Sequence, residues 1–72
     1  MKQYDITKDY IMNKELSHFD NYNKYDIMGI EYDLNSLLND NEIPYDIKLK
    51  IADKYDGVIK YIKIKLLERG EL

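Results

Sequence analysis

Residues 45–69 read YDIKLKIADKYDGVIKYIKIKLLER, and this stretch decides the fold. Ile47, Ile51, Tyr55, Val58, Ile59, Ile62 and Leu66 recur at spacings of three and four. At 3.6 residues per turn they form a single apolar stripe of about 120°. Lys50, Lys54, Lys60 and Lys63 fall mostly outside it. Arg69 sits in the last turn, and Gly70 stands where a left-handed helix cap belongs. A helix over about 45–69 follows. Gly57 is its weak point, since an interior glycine costs about 1 kcal/mol against alanine. The alternative is an α+β fold with a strand at 58–67, because Ile62, Ile64 and Leu66 alternate with Lys63 and Lys65 after a turn-like Asp56-Gly57. The helix is preferred because one stripe joins residues on both sides of Gly57.

Upstream, Ile27, Ile30, Leu34, Leu37 and Leu38 share one helical face, which predicts a helix over about 26–39. Asn39-Asp40-Asn41 ends it, and Pro44 opens the next element, where a missing N–H is harmless. Met12, Leu16 and Phe19 give a narrower face, with Ile11 at its edge, for a first helix over about 6–19. The tripeptide Tyr-Asp-Ile stands at 4–6, 25–27 and 45–47, near each expected helix start. Asp is a good N-cap, and a preceding Tyr can pack back onto the first turn, as Tyr25 can on Ile30. The expected fold is all-α, a small three-helix bundle forming a single domain over 1–72.

The 72 residues leave room for one small core. Without cysteine there is no disulfide, thiolate metal site or thiol nucleophile. His18, the single histidine, has no second histidine to share a metal and reads as a surface residue. Asp20–Glu31 has the length of a calcium loop, but Tyr22 and Lys24 stand at ligand positions and Tyr25 stands where glycine is required. Gly29, Gly57 and Gly70 form no phosphate-cradling loop, and Ser17 and Ser36 lie in no nucleophile motif. No catalytic residues, cofactor or metal are expected, and the chain reads as non-enzymatic. No uncharged run approaches a signal peptide or membrane span, so a cytoplasmic protein is expected. Ile, Lys, Asn, Tyr and Asp make up 43 of 72 residues, while Ala and Arg occur once each. That AT-rich codon usage points to a low-GC bacterium, or to a phage or mobile element living in one.

Charge is split along the chain. Residues 1–46 carry ten acids and four bases, and residues 47–72 seven bases and four acids. The bland account is internal pairing of basic and acidic helices, each pair worth under about 1 kcal/mol. The bases of the last helix scatter around its axis, and no Asn or Gln follows residue 46 to read base edges, so direct nucleic-acid binding is not expected. The acids are ordered. Asp26, Asp33 and Asp40 lie seven apart, as do Tyr25 and Tyr32, giving two lines with a step of about 10.5 Å. Exposed Tyr beside carboxylates offers contact area and steering toward a basic partner. Tyr25, Asp26, Tyr32, Asp33 and Asp40 are therefore the expected partner-binding residues. The basic grooves of a cell are chiefly nucleic-acid-binding sites, and carboxylates can stand where phosphates would lie.

In size, acidity and composition the whole chain is similar to small phage-encoded regulators such as anti-repressors and anti-CRISPR proteins. That resemblance implies an inhibitor or modulator of a nucleic-acid-binding protein and carries over no residues. Two other classes fit the sequence. One is an antitoxin or immunity protein neutralising a toxin. The other is a homo-oligomerising module, in which Leu49, Ile64 and Leu67, off the main stripe of the last helix, meet a second copy.

Overall fold

The structure, a computed structural model, describes residues 4–72. It contains helix α1 (Lys24–Leu38), helix α2 (Tyr45–Glu68) and one 3-10 turn (Leu16–Phe19), with no strand among the described residues. The two helices form a hairpin, and the N-terminal segment lies across it as an irregular strap.

The stripe read from the sequence is the buried face of α2. Ile51, Tyr55, Val58, Ile59, Ile62 and Leu66 are all buried, and the helix runs unbroken through Gly57. The strand at 58–67 is therefore not formed. Leu66 and Leu67 carbonyls accept from the Glu71 and Gly70 amides at 2.8 and 3.1 Å, a Schellman closure. Gly70 supplies the φ of +72° that this closure needs, as its position in the sequence indicated. Ile27 and Ile30 of α1 complete the hairpin core, and Ile43 plugs it from the connecting loop.

The helix expected over 6–19 is not formed, so the described residues do not make a three-helix bundle. The reason is competition from side chains for the backbone. Asp5 Oδ1 accepts from both the amide and the hydroxyl of Thr7, at 2.9 and 2.6 Å. Those two bonds hold the Asp5 carboxyl below its usual range. Asp9 Oδ1 accepts from the Met12 amide, and the Asn13 amide group donates to the carbonyls of Ile6 and Asp9. These bonds close short local turns at 5–7 and 9–13 in place of a helical ladder. The expected Met12–Leu16–Phe19 face also breaks up, because Phe19 and Ile11 are buried while Leu16 is exposed.

The repeated Tyr-Asp-Ile does three different things. At 25–27, the N-cap is Asn23 rather than Asp26. Asn23 Oδ1 accepts from the Tyr25 and Asp26 amides, and Asp26 Oδ2 accepts from the Asn23 amide at 2.8 Å, a capping box. At 45–47, Pro44 is the N-cap, with no side-chain cap, and Asp46 only places its charge in the first turn. At 4–6, Asp5 starts a turn that no helix follows. Tyr25 does not pack on Ile30; it is exposed, with the Lys24 ammonium 5.5 Å from its ring centroid.

The strap is held to α2 by polar contacts made across 40 or more residues of chain. Tyr55 donates to Asp9, and Lys54 Nζ donates to the Lys14 carbonyl at 2.6 Å. Tyr61 donates to Asp20 Oδ1. The Arg69 guanidinium donates to the carbonyls of Asp20 and Tyr22 at 2.6 and 2.9 Å. Phe19, fully buried, is the apolar anchor among them.

Candidate functional site

The outer surface of α1, opposite the hairpin core, carries the first group of expected partner-binding residues. Tyr25, Met28 and Tyr32 are 69%, 64% and 73% exposed and follow an i, i+3, i+7 spacing, so they form one ridge. Gly29 lies within the ridge with nothing within 4 Å of the place a side chain would occupy, which leaves the backbone bare at that point. Glu31 and Asp33 flank the ridge, both exposed.

The Asp line seen in the sequence divides by role. Asp26 is committed to the capping box. Asp40, half-buried, accepts from the Glu42 amide at 2.9 Å and shapes the loop into α2. Asp33 alone of the three is engaged by no described hydrogen bond, and it is exposed beside the groove between α1 and the strap. Met28 is the residue that sequence reasoning missed. Its place three residues after Tyr25 was the available signal.

Internal pairing does not account for the charge split. The ion pairs among the described residues are Lys65–Glu68 and Arg69–Glu71, both at the C-terminal end. None of them joins an acid of α1 to a base of α2. The cations that do cross the molecule, Lys54 and Arg69, reach backbone carbonyls of the strap instead.

Beside the ridge, the strap and α1 enclose an open groove of about 270 Å³ lined by Asp9, Tyr10, Asp33, Ser36, Leu37 and Tyr55. Its floor is an anion with fixed donors. Asp9 accepts from Tyr55 at 2.9 Å, from Tyr4 at 3.2 Å and from the Met12 amide at 3.0 Å. Desolvation first, and then the carboxylate that accepts its proton, push the Tyr55 hydroxyl well above the usual phenol value. Tyr4 is raised by the same two influences, so both hydroxyls remain donors at any physiological pH. No sequence signal marked Asp9, because Tyr55 lies 46 residues away.

The residues expected at an oligomer contact are exposed but do not form one patch. Ile64 and Leu67, three apart on α2, are 54% and 60% exposed. Leu49, 55% exposed, lies 15 residues before Ile64, about 22 Å along the helix. His18 is exposed, hydrogen-bonded to the Tyr10 hydroxyl and packed edge-on against Phe19, which is a structural role. Among the described residues, no group of three or more His, Asp or Glu is placed to hold a metal ion. No described helix is long and apolar enough to cross a membrane. Comparison with protein-family models, with curated proteins and with solved structures returned no match to this chain.

Proposed function

We propose that this chain is a non-enzymatic protein-binding module that offers the outer face of α1 to a basic surface of a partner. The partner is a nucleic-acid-binding protein, and the module inhibits or modulates it by covering the surface that phosphates would occupy. The observation that carries the reading is the exposed Tyr25–Met28–Tyr32 ridge, flanked by Glu31 and Asp33 without internal ion pairs. Aromatic side chains supply contact area at low entropic cost, and unpaired carboxylates steer toward cations. Carboxylates that already have internal partners are worth less to a newcomer, so Asp33 matters more than Asp26 or Asp40.

Capture from a low-GC bacterial lysate, with and without nuclease, tests this. A basic nucleic-acid-binding protein should be retained after nuclease and displaced by added DNA or RNA. Tyr32→Ala and Asp33→Lys should each weaken capture about tenfold or more while leaving the helical circular dichroism unchanged. Capture that vanishes with nuclease, or that survives both substitutions, sinks the reading.

A further inference from the structure

The two outward faces of the hairpin complement each other. On α1, Tyr25, Met28, Gly29 and Tyr32 follow an i, i+3, i+4, i+7 spacing; the acids Glu31 and Asp33 flank the ridge, and the Lys24 ammonium rests on the Tyr25 ring at its N-terminal end. On α2, Lys60, Lys63, Ile64 and Leu67 repeat the same spacing, with an aliphatic pair beside two exposed lysines. Each stripe is about 10.5 Å long. Each points away from the core that the two helices share, so they lie on opposite sides of the hairpin and cannot meet within one molecule. The acids of the first and the lysines of the second also lack ion pairs among the described residues.

We propose that the α1 face of one chain docks on the α2 face of a second copy. Tyr25, Met28 and Tyr32 cover Ile64 and Leu67, and Glu31 and Asp33 meet Lys60 and Lys63 around that apolar centre. The two faces differ, so the contact is head-to-tail, and each added copy leaves one face of each kind open. The assembly therefore grows with concentration rather than closing at two. Two short helical stripes bury less than a standard interface, which makes the association weak and reversible. The contact stands whether or not another partner exists. Where one does, the same α1 face is withheld from it as the chain accumulates.

Sedimentation of the intact chain, up to millimolar concentration, decides the matter first. The mean mass should rise steadily with concentration and fall as salt is added. A monomer throughout, or a species that stops at two copies, overturns the head-to-tail contact. Two exposed-site variants then test the pairing. Tyr32→Arg removes the α1 face and Ile64→Asp removes the α2 face, so each alone should be monomeric with helical circular dichroism. Mixed in equal amounts, they should form a dimer and stop there, because each retains only the face the other needs. A mixture of well-folded variants that stays monomeric, or either variant assembling alone like the parent chain, refutes it.

Discussion

The helical hairpin and the strap are built from the same residue types by opposite means. In α2 a stripe of apolar side chains repeats with the helix, and backbone hydrogen bonds follow from it. In the strap, residues 4–22, the apolar residues keep no sustained helical period, and side chains of Asp5, Asp9 and Asn13 take the backbone partners a helix would have used. One region folds on its own periodicity. The other is folded by what it touches.

The sharpest way to break that contrast is at Phe19, the only fully buried side chain of the strap. Phe19→Ala removes its ring and leaves a cavity, at a cost of about 3–5 kcal/mol. A chain this small has little more stability than that. Urea unfolding followed by circular dichroism should show most of the folded population lost in water. A loss confined to the strap, with the α1–α2 hairpin still cooperative, would show that the hairpin stands alone.

Tyr55 is where the two regions join, and the effect expected there is smaller and pH-dependent. Tyr55→Phe keeps the buried ring but withdraws a donor from the Asp9 carboxylate, for about 1.5–3 kcal/mol. The sign of the pH dependence follows from the raised phenol pKa. Below the unfolded value of about 10 the hydroxyl is protonated in both states and its contribution is complete. Above it the unfolded chain releases the proton while the folded chain holds it, so stability falls as pH climbs. Thermal melts above pH 10 should therefore decline less steeply in Tyr55→Phe than in the parent. Equal slopes would mean that this proton is not held by the fold.

The cap of α1 tests how local the helical region is. Asn23→Ala loses two accepted amide bonds and half of a capping box, about 1 kcal/mol. Hydrogen exchange should quicken at Tyr25 and Asp26 and stay unchanged in α2. If exchange quickens along the strap as well, the loop at 20–23, which Arg69 holds by two carbonyls, is coupled to the cap.

What could be read in the sequence follows the same division. The bounds of α2 and its Gly70 closure were legible, because one stripe runs through both sides of Gly57, which the competing strand at 58–67 does not explain. The exposed Tyr25 and Tyr32 line was legible too, since a helical period fixes its outer face as well as its inner one. The strap was not. Its partners Lys54, Tyr55, Tyr61 and Arg69 stand 40–49 residues away, and no local pattern announces them. Tyr-Asp-Ile misled for a related reason. Asp at a helix start and Asp at an isolated turn accept the same amide protons, and only the apolar period beyond separates them. The role of Asp26 was near its expected place, displaced by three residues onto Asn23.

Gly57 gives the smallest effect, and it acts in the stabilising direction. It lies mid-helix with solvent beside it, and a methyl group there would meet nothing within 4 Å. Neither close packing nor a left-handed backbone requires a glycine at this position. Gly57→Ala should therefore stabilise the chain by about 1 kcal/mol, through the lower backbone entropy of the unfolded state and the better helix propensity. If the strap depends on α2 as a rigid support, exchange at the strap amides should slow by the same factor as exchange in α2. If only α2 slows, the two regions open independently, and the polar contacts between them yield before the helix does. A destabilising Gly57→Ala would mean that a methyl group here meets a neighbour after all, and that the outer surface of α2 at this point is not open.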